Sequence, residues 1–323
     1  MSKSVIIREF GGPEVMQFEE VEIGAPGPGE IQVRHEAIGL NFIDVYHRTG
    51  LYPNPLPFTP GQEGAGEVVA VGEGATEFSV GDRVTYSGAL GSYSELRNLK
   101  AELAVKLPEG VSEEIAAAST LKGLTVYHLL HSTYALQPGE TVLVMAAAGG
   151  VGQLLCQWAK HIGATVIGCA GSPEKVALAR ANGCDHAIDY SAQDYRIEVQ
   201  KLTGGQGVDV VYDSVGKATF MSSLDCLKPR GMMVSFGNAT GPVSIDNLGV
   251  LAQKGSLYVC RPTSGTYTAT REALVESCDA LFSAIQTGII KPKVNQRFAL
   301  SDAQEAHRAL EARQTTGASI LVP

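Results

Sequence analysis

The first 155 residues contain no cysteine, and the six that follow (Cys156, Cys169, Cys184, Cys226, Cys260 and Cys278) make no C-x-x-C pair. That spacing argues against a thiolate zinc site and a disulfide framework, and each thiol reads as a small buried hydrophobe. No apolar run approaches the roughly 18 residues of a membrane span. The opening "MSKSVIIREFGGPEV" has no long apolar core of a secretory leader, which points to a cytoplasmic address. Positive charge is also short: 25 Lys and Arg stand against 34 Asp and Glu, for a net charge of −9 and a pI near 5.3. An acidic chain repels phosphate backbones, so no nucleic-acid partner is expected. A local basic pocket can still hold one phosphorylated small molecule.

What remains is ordinary for a globular protein: 44% hydrophobic and 18% charged residues, without repeats or low-complexity stretches. At 323 residues, one large or two medium domains are expected. The first 125 residues read as β-rich. "EIQVRHEAIGL" (30–40), "GAGEVVAVG" (64–72) and "DRVTYS" (82–87) carry β-branched residues between turn formers. "LYPNPLPFTPGQ" (51–62) is a proline-rich loop of the kind that borders sites. "SEEIAAASTLKGLTVYHLLH" (112–131) reads as a helix capped by Ser112.

From residue 141 the pattern alternates. Strands are expected at 141–146, 164–170, 186–190, 208–216, 231–238 and 256–261. Helices are expected at 151–163, at 172–183 with Ser172 as cap, at 194–205 and around 217–228. Apolar strands separated by helices make an α/β fold, a doubly wound parallel sheet covered on both faces. A long amphipathic helix (271–288) and a final strand (317–323) close the chain.

"AAAGGVG" (146–152) lies between the first strand and first helix of that series, where a dinucleotide turn belongs. Its first glycine is replaced by Ala147, which requires φ below zero there. Gly149 and Gly150 let the backbone approach a pyrophosphate. The helix beginning near Val151 offers free N–H groups and its positive end. Gly152 lets helix and strand pack closely. After the second strand, where an NAD site carries an acid, the chain reads "CAGSPEK". Gly171, Ser172 and Lys175 stand there instead, suited to a 2′-phosphate, and Tyr190 after the third strand can contact the adenosine end. The expected cofactor is NADPH, with Glu174 expected to point elsewhere.

Seven segments, "GGPEV" (11–15), "AIGLNFIDVYHRTGLYP" (37–53), "GQEGAGEV" (61–68), "LKGLTVYHLL" (121–130), "MAAAGGVG" (145–152), "VVYDSVG" (210–216) and "VSFGN" (234–238), together resemble the quinone oxidoreductases. These are the zeta-crystallin-like, zinc-free branch of the medium-chain dehydrogenase/reductase superfamily, and the likeness is greatest to the bacterial NADPH:quinone reductases. The resemblance implies a GroES-like catalytic domain over 1–125 plus 263–323, with a Rossmann domain over 126–262 inserted in it. It also implies a homodimer paired through "SLYVCR" (256–261). Zinc-using relatives carry an early cysteine and a G-H-E motif. Here Asn41 and Asp44 stand in the early loop and "GQE" (61–63) replaces G-H-E, so no metal is expected.

The resemblance further implies the site. Asn41, Phe42, Ile43, Asp44 and Tyr46 would contact the nicotinamide end. Gly149, Gly150, Val151, Gly171, Ser172, Lys175 and Tyr190 would take the phosphates and adenosine. Ser214, Phe236, Gly237 and Asn238 lie at strand ends, and Arg261 and Arg313 would add contacts. His128 stands where relatives have tyrosine. Asn41, Tyr46 and Tyr52 are the candidate catalytic residues, two of them with phenol groups able to donate a proton. The implied reaction is hydride transfer from NADPH to a quinone. Reduction of an activated C=C bond, and a low-turnover cofactor-binding protein, are the alternatives.

Overall fold

The computed structural model describes residues 1–323 and divides into two compact units, Met1–Leu124 with Thr268–Pro323, and Thr125–Tyr267. The first unit opens with β1 (Ser2–Ile7) and β2 (Met16–Val21), an antiparallel pair. β3 (Glu30–Leu40) follows; Ile31, Val33, Ala37 and Ile38 on it are fully buried. Next come α1 (Phe42–Arg48), β4 (Glu63–Val71), β5 (Arg83–Ser87), β6 (Leu96–Lys100), β7 (Ala104–Lys106) and α2 (Glu113–His128). Ser112 caps α2 as expected, its hydroxyl accepting the Ile115 N–H at 3.3 Å. One expectation changes here. "NFIDVYHR" forms a short helix rather than a loop, because Asn41 and Asp44 close its first turn: the Asn41 N–H donates to Asp44 Oδ2 at 2.9 Å.

The second unit alternates as its apolar pattern requires. β8 (Thr141–Val144), α3 (Gly150–Ile162), β9 (Thr165–Ala170), α4 (Pro173–Ala181), β10 (His186–Asp189), α5 (Tyr195–Leu202) and β11 (Val208–Asp213) follow one another. Then come α6 (Phe220–Leu224), β12 (Leu227–Ser235), α7 (Gly249–Gln253), β13 (Tyr258–Cys260) and α8 (Ser264–Tyr267). The six strands form one parallel sheet in the order β10-β9-β8-β11-β12-β13. β8 lies where the strand order reverses, which is where open α/β sheets bind ligands. The helix expected around 217–228 is cut to five residues. β12 begins earlier than expected, at Leu227, and passes through Arg230 in a left-handed conformation (φ 63°).

The chain returns to the first unit with α9 (Arg271–Gln286), β14 (Val294–Ala299), α10 (Ala303–Glu311) and β15 (Ala318–Val322). β15 pairs antiparallel with β3, so the tail joins a seven-stranded sheet ordered β14-β15-β3-β4-β5-β7, with β6 also on β3. One core in this unit joins Val5, Ile7, Ile38, Leu40 and Tyr93 to Leu300, Ala303 and Ala306 of the tail.

In the second unit Phe220 packs with Leu143, Ile167, Val211 and Met233. Phe220→Ala should remove about 3–5 kcal/mol from that unit. The check is the urea midpoint followed by fluorescence of Trp158, the sole tryptophan, on α3. A midpoint within error of wild type would refute this packing.

Candidate functional site

The turn between β8 and α3 is built on one carbonyl. β8 ends, Ala146 takes a left-handed conformation (φ 54°), and its carbonyl accepts the Gly149 N–H at 2.9 Å. The strained position is therefore Ala146 and not Ala147, which keeps φ below zero as expected. Gly149 is the N-cap of α3, extended at φ −79°, with no side chain to offer. The first helical bond runs from the Gln153 N–H to the Gly149 carbonyl at 2.9 Å. The N–H groups of Gly150, Val151 and Gly152 thus lead the helix ahead of that bond. A Cβ on Gly152 would lie 2.3 Å from the Ala146 oxygen, so only glycine permits this packing. An uncapped, glycine-led helix start fits an anionic group, and a dinucleotide pyrophosphate is one.

Beside it, β9 ends at Ala170 and no acid follows. A Cβ on Gly171 would meet the Tyr190 hydroxyl at 2.8 Å, so these two residues share one wall. Ser172 caps α4, its Oγ accepting the Lys175 N–H at 3.3 Å. Glu174 does not point away. Its own backbone N–H, and then the Ser172 hydroxyl, hold its carboxyl below the usual range. Asp189, the last residue of β10, is turned instead to the N–H and hydroxyl of Ser191, at 2.9 and 2.6 Å.

The ends of β11 and β12 meet through Asp213, whose role the sequence reading missed. Its Oδ1 accepts from the Val215 and Gly216 N–H groups at 2.7 and 3.0 Å, and its Oδ2 from the Thr219 hydroxyl at 2.6 Å. Burial raises its pKa. The turn it holds carries Ser214, against whose backbone Gly237 packs without room for a Cβ. The Phe236 N–H bonds the Asp213 carbonyl at 2.8 Å, and Arg261 donates to the Ser235 carbonyl at 2.8 Å. Ser214, Phe236, Gly237, Asn238 and Arg261 therefore gather at the carboxyl ends of β11 to β13. An aspartate ending a run of apolar residues, "VDVVYD", was the available signal. His128 stacks on Tyr267 (centroids 4.4 Å, planes 3° apart), with Nε2 3.3 Å from the Ser264 hydroxyl. Burial lowers its pKa to about 4, so the ring is neutral near pH 7.

In the first unit the candidates cluster on α1. The rings of Tyr46 and Tyr52 meet edge to face at 5.3 Å, and Phe42 lies 6.2 Å from Tyr46. Ile43 is half-buried on the same turn. Asn41 Nδ2 donates to Glu63 Oε2 at 2.8 Å. Glu63 also takes Lys122 Nζ at 3.1 Å and the Leu121 N–H at 2.7 Å. A Cβ on Gly39 would lie 2.1 Å from Glu63 Oε2, so that glycine clears the space for the carboxylate. Gln62 packs with its carboxamide 2.8 Å from His47 Nε2. No group of three or more His, Cys, Asp or Glu is placed to hold a metal ion. Asp44 is fully buried, with Oδ2 taking the Asn41 N–H and the Tyr93 hydroxyl. Arg313 follows α10 in a left-handed conformation (φ 58°). Glu63, Lys122, Tyr93 and His307 were not read as site residues. "GQE" and "LKGL" flagged the first two, and nothing local flags the others.

Burial lowers His35 to about 4 and His307 to about 3, from 6.5. Each binds fewer protons when folded, so the stability it contributes above pH 6.5 is lost as pH falls. Asp44 acts oppositely, because burial raises it from 3.8 to about 7. Two imidazoles in this unit outweigh one carboxyl, and in the other His128 and His131, both lowered by burial, outweigh Asp213, which burial raises. The thermal midpoint should fall between about pH 6.5 and about pH 4.5. A midpoint that rises over this window would contradict these burials.

Two family models match the chain: "Alcohol dehydrogenase GroES-like domain" over residues 27–109 and "Zinc-binding dehydrogenase" over residues 150–277. A quinone oxidoreductase of Pseudomonas aeruginosa is 54% identical, covering all of both chains. A 2-haloacrylate reductase of a Burkholderia species is 44% identical, over 100% of this chain and 99% of its own. The crystal structure of an Escherichia coli quinone oxidoreductase complexed with NADPH superposes with a TM-score of 0.97 at 50% identity, covering 99% of this chain and 100% of the other. With both domain models matched in order and relatives this similar over their full length, the chain belongs to the quinone oxidoreductases of the medium-chain dehydrogenase/reductase superfamily.

Proposed function

We infer that this chain is an NADPH:quinone oxidoreductase that works without a metal. The observation that carries the reading is the side-chain-free start of α3 at the end of β8, in a chain half identical to a quinone oxidoreductase crystallised with NADPH. When bound, NADPH supplies a hydride from its nicotinamide ring. The N–H groups of Gly150 and Val151 bind the pyrophosphate, with Gly149 at the cap. Gly171, Ser172, Lys175 and Tyr190 bind the phosphorylated adenosine end. Ser214, Phe236, Gly237, Asn238 and Arg261 border the cofactor at the strand ends, and Arg313 and His128 add outer contacts.

In the first unit, Asn41, Phe42, Ile43, Asp44 and Tyr46 form the segment that orients the nicotinamide end and the acceptor. Asp44 acts there through Asn41. A quinone needs one hydride and one proton to become a hydroquinone, and its oxygens need little further polarisation. Tyr46 and Tyr52 give an apolar rim that excludes water, and their hydroxyls are the proton donors of the segment.

The protein also pairs with a second copy through β13, whose Tyr258 and Val259 are 57% and 36% exposed on the sheet's edge. An unpaired edge strand with apolar side chains is a template for pairing. Sedimentation at twice the 34.0 kDa chain mass supports the dimer, and sedimentation at the chain mass refutes it. No helix is long and apolar enough to cross a membrane. The six unbridged cysteines favour the cytoplasm as the site of action.

The test is oxidation of NADPH and of NADH with p-benzoquinone, phenanthrenequinone and an enone. Quinone-dependent turnover that prefers NADPH is expected. Turnover with the enone alone would move the function to alkene reduction, and no turnover would leave a cofactor-binding protein. Lys175→Ala should raise the KM for NADPH about tenfold, the value of one charge-assisted hydrogen bond, and leave that for NADH within about twofold. Equal effects on the two cofactors would remove Lys175 from the phosphate site.

A further inference from the structure

Five side chains run in one line through the first unit: Glu311, Arg48, His307, Tyr93 and Asp44. Arg48 gives Glu311 two bonds, at 2.8 and 2.9 Å, and its Nη1 lies 3.0 Å from His307 Nδ1. His307 Nε2 lies 3.0 Å from the Tyr93 hydroxyl, which lies 3.0 Å from Asp44 Oδ2. All but Glu311 are buried.

The chemistry of the groups sets the direction of every bond. A guanidinium only donates, so His307 Nδ1 is an acceptor and its proton sits on Nε2. That N–H must donate to the Tyr93 oxygen. Tyr93 then has its own proton left for Asp44. The row therefore points donors at one carboxylate from the C-terminal helix α10. It does not serve as a proton wire, because its far end is a group that keeps its protons.

Asp44 Oδ1 is a second sign of function, being buried with no partner at all. A native fold rarely leaves a carboxylate oxygen unpaired in its interior, and each such atom calls for a physical reason, a working role being one. The other oxygen takes the Asn41 N–H. Asn41 is thus gripped twice, its backbone by Asp44 and its side chain by Glu63. Because Glu63 accepts, the carboxamide nitrogen faces Glu63, and the Asn41 oxygen faces the Asp44 backbone N–H of the capping box with a second lone pair left for a ligand.

We propose that Asp44, Tyr93 and His307 are positioning residues for hydride transfer, a directed chain by which α10 sets the Asn41 turn. The proposal rests on the quinone-reductase reading above. The titratable and charged groups facing Asp44 are Tyr93, Lys122 of α2 and Glu63 of β4, with His307 and Arg48 behind Tyr93. Burial raises Asp44 to about 7, and the Asn41 N–H, the Tyr93 hydroxyl and Lys122 oppose it. The grip on Asn41 consequently changes near neutral pH.

Tyr93→Phe removes one hydroxyl and keeps the ring. It should lower kcat about tenfold, the cost of losing one hydrogen bond to a buried charge. It should shift the ionisation in the pH profile of kcat upward, and leave the Kd for NADPH, read by calorimetry, within about twofold. Asp44→Asn should abolish that ionisation. His307→Gln keeps a donor for Tyr93 and should retain most of kcat, whereas His307→Leu should not. A second readout needs no turnover: the infrared carboxyl band that Asp44→Asn deletes should titrate near neutral pH, and higher in Tyr93→Phe. An unmoved pH profile and kcat in Tyr93→Phe overturns the proposal, as does a loss of NADPH affinity in step with kcat. If wild type shows no quinone turnover, the functional reading fails, and the infrared titration alone then decides the chain: a band that ignores Tyr93 overturns it.

Discussion

The carbonyl of Ala146 is the point on which the second unit turns. It receives the Gly149 N–H, it bars any side chain at Gly152, and it sits on a left-handed residue that pays strain to be there. Strand β8 can then pass directly into α3 with no cap on the helix. Four N–H groups at a helix start want acceptors, and here no side chain meets the first of them. The sheet order places this start at the reversal between β9 and β11, and the neighbouring ends carry donors in Ser172 and Lys175. The same packing that lets helix and strand approach so closely is what leaves the start of α3 without a side-chain cap.

The first unit solves a different problem. It holds charge inside: Glu63 with Lys122, and Arg48 with Glu311 and the neutral His307. Removing two ions from water is expensive, and good geometry seldom returns more than it costs. Such networks add little stability and much orientation. Here both converge on Asn41, at the start of a helix only seven residues long. A helix that short has little stability of its own, so its place is set by what grips its ends. The acidic chain thus keeps buried charge around one segment and uncapped backbone donors at the start of another.

Much of the second unit was legible in the sequence, because apolar strands and a cap such as Ser172 act locally. The strand–turn–helix at 146–152 was legible for the same reason, with φ below zero at Ala147 as expected, whereas the left-handed conformation of Ala146 was not foreseen. Errors came where local rules compete. "NFIDVYHR" mixes helix and strand formers, and its capping by Asn41 and Asp44 decided it. The stretch after Gly216 lost its long helix to β12. The Asp44 chain was out of reach: His307 lies 259 residues from Arg48, and only the return of the tail beside β3 brings them together. Asp44 was read as a contact residue, and its side chain is completely buried, with Oδ2 on the Asn41 N–H.

The central claim is that the bare start of α3 holds the cofactor's pyrophosphate while Ser172 and Lys175 take its third phosphate. A crystal structure of this protein grown with NADPH tests it most directly. The account predicts pyrophosphate oxygens within hydrogen-bond distance of the Gly150 and Val151 N–H groups, the 2′-phosphate on Ser172 and Glu174 swung away from it. Pyrophosphate density away from the α3 start, or a 2′-phosphate in solvent with Glu174 still on Ser172, would contradict it.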